Sequence, residues 1–103
     1  MTNQVHKYTR LQNELETIGY GDMKCIGNSM MPRIKSHSIV TFVKQEKYNV
    51  GDIVFCKVKG NVYVHLILKK DSRKGYLIGN NKGRENGWTH TIWGKATNIE
   101  ENN

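Results

Sequence analysis

After Gly21 most apolar residues of this chain gather in short runs, at 23–26, 39–43, 53–58, 62–68, 76–78 and 91–96, with none long enough for a helix. Runs of that length, rich in Val, Ile, Phe, Tyr and Thr and separated by Gly, Asn and Asp, read as strands. The clearest is Val62-Tyr63-Val64-His65-Leu66-Ile67-Leu68. A period of two puts Val62, Val64, Leu66 and Leu68 on one face and Tyr63, His65 and Ile67 on the other, with Lys69 following His65 in the same alternation. Lys59-Gly60-Asn61 joins this run to the one before it and predicts a hairpin, Gly60 and Asn61 accepting the positive φ such turns need. Asp71 to Gly75 reads as a second turn, and 80–87 as a polar loop.

One helix precedes the strands. Tyr8, Leu11, Leu15 and Ile18 recur at steps of three, four and three within residues 4–19, with Thr2 or Asn3 as cap and Gly19 and Gly21 as the stop. A chain of 103 residues holds one modest core. The expectation is a mainly β domain with a single N-terminal α-helix, divided as a helical segment 1–22, a β domain 23–99 and a frayed tail 100–103.

Charge and cysteine usage narrow the partners only loosely. The net charge of +7 comes from 16 basic residues spread along the chain, so nonspecific nucleic-acid binding stays a weak expectation. Cys25 and Cys56 lack a C-x-x-C spacing and read as small buried apolar residues, reduced in a cytoplasmic protein. No stretch approaches the roughly 20 apolar residues of a membrane span. His6, His37 and His90 show no metal-ligand spacing, and neither a metal nor a cofactor is expected. Trp93 reads as a core residue, and Trp88 as core or as a stacking platform.

The segment Gly27-Asn28-Ser29-Met30-Met31-Pro32 raises the question of function. A serine hydroxyl becomes a nucleophile only when a base within hydrogen-bond reach removes its proton. The competing reading is an N-cap, with Pro32 tolerated in a first helical turn. His65, the single imidazole on a largely apolar strand face, is the candidate base or else a hydrogen-bonded core histidine.

Taken together, "GNSMMP", "VGDIVFCKVKGNVYVHLI", "GNNKGRENGW" and "IWGKA" resemble the LexA and signal-peptidase clan of serine peptidases, over about residues 23–99. The resemblance implies a coiled β-sheet domain, with Ser29 as nucleophile and His65 at the position the family usually gives to a lysine. Signal peptidases of the endoplasmic reticulum use histidine there. Lys69 is the fallback base. Gly27, Asn28 and Met30 would line the oxyanion and substrate groove, Gly27 admitting a close backbone approach. The family's G-D-N loop matches Gly79-Asn80-Asn81, so Asn80 or Glu85 is the expected orienting group for the imidazole, although an amide cannot offset the charge of an imidazolium. The resemblance also implies a peptide or protein substrate and, since family cores often pair, a homodimer.

Two functions follow as expectations: a Ser–His peptidase-like protein acting on extended peptide segments, or a non-catalytic module that keeps the groove and binds a protein partner. With 28 residues ahead of Ser29 and no helix-turn-helix pattern, neither self-cleavage in the usual register nor sequence-specific DNA binding is expected.

Overall fold

The computed structural model describes residues 4–27 and 30–101, with the side chains of residues 4 and 5 excluded. Thr2 and Asn3, named as caps, and the site candidates Asn28 and Ser29 therefore lie outside the described residues. Helix α1 (Gln4–Thr17) is followed by seven strands: β1 (Tyr20–Cys25), β2 (Ser38–Val43), β3 (Ile53–Val58), β4 (Asn61–Asp71), β5 (Gly75–Gly79), β6 (Glu85–Thr89) and β7 (Ile92–Glu100). They form one sheet in the order β1-β2-β7-β3-β4-β5-β6, with every neighbouring pair antiparallel. The expected mainly β fold with one N-terminal helix is what the chain adopts.

Helix α1 belongs to the same core as the sheet. Leu11 and Leu15 are fully buried with Met23, Phe42, Phe55 and Trp93. Two glycines let the helix lie close. A Cβ on Gly94 would meet Leu15 Cδ2 at 3.0 Å, and one on Gly21 would meet Leu11 Cδ1 at 2.9 Å. Gly21 thus serves as a contact surface within β1, while Gly19, at φ 90°, ends the helix by donating its N–H to Glu14 O at 3.0 Å. Ile18 falls in the turn beyond α1 and is 61% exposed, so the helical stripe ends at Leu15 rather than including it.

A second cluster, built from Tyr48, Val54, Cys56, Val58, Ile67 and Ile78, fills the other face of the sheet. The sheet curls over it until β6 reaches β3, where Thr89 Oγ1 donates to Lys57 O at 2.6 Å and Lys57 N donates to Thr91 O at 3.1 Å. The β3–β4 hairpin turns on Lys59 (φ 51°) and Gly60 (φ 87°), with Val58 opposite Asn61. Positive φ therefore falls on Lys59 and Gly60, one residue earlier than the sequence suggested. The 71–75 turn is held by Asp71 Oδ2, which accepts from the N–H groups of Arg73 and Lys74 at 2.9 Å each.

β6 begins inside the 80–87 stretch that reads as a loop, at Glu85, and runs on to Thr89. Glu, Asn and Gly have low strand propensity, and Gly87 sits at φ 134°. What makes 85–89 a strand is the partner edge of β5, which pairs Tyr76 with Thr89 and Leu77 with Trp88.

Candidate functional site

Two β-bulges shape the region around His65. Along β4 and β5 the partners run Leu66↔Gly79, Ile67↔Ile78, Lys69↔Leu77, so Leu68 is an extra residue. Neighbours on β5 face opposite sides of the sheet, and Ile67 and Ile78 share the second core cluster. Lys69, opposite Leu77, consequently faces the side away from them and from His65. The alternation that set Lys69 beside His65 fails at this bulge. Lys69 is exposed, on the stretch of β4 paired with β5.

The second bulge lies in β6. Ile78 pairs with Gly87 and Gly79 with Glu85, leaving Asn86 as the extra residue. A bulge re-aims the side chain it carries, and Asn86 Oδ1 lies 2.7 Å from His65 Nδ1. With that oxygen accepting, the proton resides on Nδ1 and the neutral ring presents its lone pair at Nε2, the arrangement a general base requires. His65 is buried, 8% exposed, and stacks on Tyr63 with ring centroids 4.9 Å apart. Burial pushes the imidazole below its ordinary value of 6.5, and the Asn86 bond pulls part of that shift back. The ring is neutral at neutral pH.

The residues named from the sequence as orienting groups sit elsewhere. Asn80 Oδ1 accepts from Lys82 N at 2.8 Å and Arg84 N at 3.0 Å, so Asn80 builds the turn between β5 and β6. Glu85 is solvent-exposed. Asn86 is the group sequence reasoning missed. Only its place two residues before Trp88 in an alternating pattern could have singled it out. Its neighbour in the turn, Asn81, donates from Nδ2 to Met31 O at 2.9 Å and ties the 80s loop to the segment that follows Ser29.

A groove of about 190 Å³ opens at His65. Three elements wall it: Lys7 and Tyr8 from α1; Met23, Cys25, Ile26, Gly27, Met30 and Ile34 from β1 and the loop after it; and Val62 to His65 from β4. Gly27 and Met30, two of the groove residues expected from the sequence, flank Asn28 and Ser29 along the chain. Met30 is buried in the core and its carbonyl accepts from Ile34 N at 3.0 Å, which anchors the segment. Gly27 has φ 122° and its N–H donates to Ser36 Oγ at 3.1 Å. Among the described residues, nothing lies within 4 Å of where its Cβ would stand. That φ lies in the region that favours glycine, and the N–H is engaged within the loop.

Two strand edges border this groove. β1 is the first strand of the sheet, and residues 61–65 of β4 pair with β3 on one side while β5 joins only from Leu66 onward. Among the described residues, that stretch of β4 has a strand neighbour on one side only. Unpaired edges of this kind accept an added extended peptide through backbone hydrogen bonds.

Both cysteines are free thiols. Burial pushes Cys25 up to about 11 and Cys56 up to about 12, so both stay protonated at neutral pH. Trp93 is buried in the first core cluster, whereas Trp88 is half-buried with Lys74 Nζ 5.3 Å from its ring centroid. His6 and His37 are exposed, and so is His90, whose Nε2 pairs with Arg73 O at 2.9 Å. No group of three potential metal ligands occurs among the described residues, and no helix among them is long and apolar enough to cross a membrane.

The described residues form a curled antiparallel sheet with a groove between two strand edges. The model of the Peptidase S24-like family matches residues 4–95, from the start of α1 to the middle of β7, and the chain belongs to that family. No curated protein matches it. The family membership agrees with the resemblance to the LexA and signal-peptidase clan read from the motifs, and it extends that resemblance over the N-terminal helix.

Proposed function

We propose that this protein is a serine peptidase-like enzyme in which Ser29 attacks the carbonyl of an extended peptide and His65 takes the serine proton. The observation that carries the reading is the His65–Asn86 pair, which fixes the Nδ1–H tautomer in a half-enclosed groove whose wall includes Gly27 and Met30, the residues flanking the Asn28-Ser29 pair. Desolvation keeps the imidazole neutral and therefore able to accept a proton. An amide partner is compatible with this role, since Cys-His-Asn sets run the same chemistry as Ser-His-Asp ones. His65 then returns the proton to the leaving amine, and water hydrolyses the acyl-enzyme with the same base.

The substrate would lie extended along the open edge of β4 at residues 61–65, which supplies backbone hydrogen bonds independent of side-chain identity. Met23, Met30, Val62 and Val64 offer an apolar wall to its side chains.

A second reading, a binding module without turnover, is favoured by one feature. Asn86 orients the imidazole but contributes no negative charge to stabilise the imidazolium formed during attack. Incubation with a library of extended peptides separates the two. Cleavage that disappears in Ser29→Ala supports the enzyme, while peptide binding without cleavage in both proteins supports the module.

A further inference from the structure

The groove contains a cation that the proposed proton transfer does not use. Lys7, on the first turns of α1, lines it together with Cys25 and His65, and no Asp or Glu belongs to the described residues of the wall. The ammonium donates to the backbone oxygen of Lys24, one of three N–H donors it carries. The ion pairs among the described residues are Arg10–Glu14, Lys35–Glu101 and Lys95–Asp52, and Lys7 is in none of them. Partial burial lowers its affinity for the proton. The charge of Lys24 adds to that shift.

An ammonium drawn partly from water, beside a second lysine and facing a wall without carboxylates, is complementary to an anion. Arg10, one turn further along α1, is already satisfied by Glu14 and by Asp22 O at 2.9 Å. The cation facing the groove is therefore Lys7.

We propose that Lys7 determines specificity by selecting an acidic side chain, Asp or Glu, in the peptide that occupies the groove. This rests on the reading that the groove receives an extended peptide. The carboxylate reaches the ammonium while the peptide backbone pairs with β4. Lys24, whose carbonyl Lys7 holds, precedes Gly27 by three residues.

The test is a binding scan that needs no turnover. Ten-residue fluorescent peptides of alanine, valine and leucine, each carrying one Glu or one Gln at a scanned position, are titrated against Ser29→Ala protein at low salt. At one position Glu should bind about ten-fold more tightly than Gln, as a charge-assisted hydrogen bond gives. Lys7→Met should remove that preference while keeping the affinity for the Gln peptide, and Lys7→Glu should transfer it to a Lys peptide. Thermal melts of both variants verify the fold. Equal binding of Glu and Gln at every position, a preference that survives in Lys7→Met, or no peptide binding at all would overturn the inference. Labelling of Ser29 in the wild type by a serine-directed probe is measured separately. A labelled serine without a Lys7-dependent preference sinks this inference and spares the peptidase reading. A Lys7-dependent preference in a protein whose Ser29 never reacts does the reverse.

Discussion

His65 Nδ1 and Asn86 Oδ1 are 2.7 Å apart, joined across the end of β5 because a bulge in β6 turns the asparagine towards β4. The bond fixes which ring nitrogen carries the lone pair, so the two residues should behave as a unit in any pH profile. Asn86→Asp places a carboxylate where the amide stands, and an adjacent negative charge favours the imidazolium. The apparent pKa of peptide cleavage, read from kcat/KM against pH, should move up. Asn86→Ala should lower kcat/KM by roughly five-fold or more, the worth of one hydrogen bond of about 1 kcal/mol. Asn80→Ala should leave the pKa of the profile where it was and cost about 1 kcal/mol of stability, because Asn80 serves the turn.

Stability should itself depend on His65. Its folded-state value lies below the ordinary 6.5, with burial as the main cause. Between those two values the unfolded chain binds the proton more readily than the folded one, so stability rises with pH across that window. The contribution is fully present above about 6.5 and is lost as pH falls towards the folded value. Melting temperatures measured from pH 7.5 downward should drop more steeply for the wild type than for His65→Gln, and parallel curves would contradict the assignment.

The helix offers a sharper contrast than its sequence pattern suggests. Leu11→Ala removes a side chain with no exposed surface and should cost about 2–5 kcal/mol in urea unfolding. Ile18→Ser, in a residue that is 61% exposed, should change stability by less than about 0.5 kcal/mol. A comparable loss in both would mean that Ile18 is covered by something, a second copy of the chain being the first suspect.

Ser38 is fully buried, and among the described residues its hydroxyl has no hydrogen-bond partner. An orphaned buried hydroxyl costs about 1–3 kcal/mol, so Ser38→Ala should raise the melting temperature by a few degrees, and a fall would show that the hydroxyl is satisfied in solution.

The divide between what the sequence disclosed and what it withheld runs along the bulges. Alternation placed Val62 and Val64 against the first core cluster and Ile67 in the second, because β4 keeps its pleat as far as Ile67. It misassigned Lys69, since the extra residue Leu68 reverses the facing of everything after it. Bulges arise from pairing with another strand and leave no local period to read. Asn86 went unnoticed for the same reason, within a strand whose residues have little intrinsic preference for being one. The motif Gly79-Asn80 pointed to the correct loop and the wrong asparagine, six positions early. The hairpin at Lys59 and Gly60 was visible because two-residue turns carry their own backbone chemistry.

The central claim is that His65, and not Lys69, activates Ser29. It is tested most directly by the rate at which a fluorophosphonate labels the protein, with the modified residue located by peptide mapping. The account predicts labelling at Ser29 in the wild type, a rate that rises through a single titration below about 6.5, a loss of roughly 10²–10⁴-fold in His65→Ala and no change in Lys69→Ala. Labelling that persists in His65→Ala and disappears in Lys69→Ala, or a folded wild type whose Ser29 does not react at any pH, would contradict it.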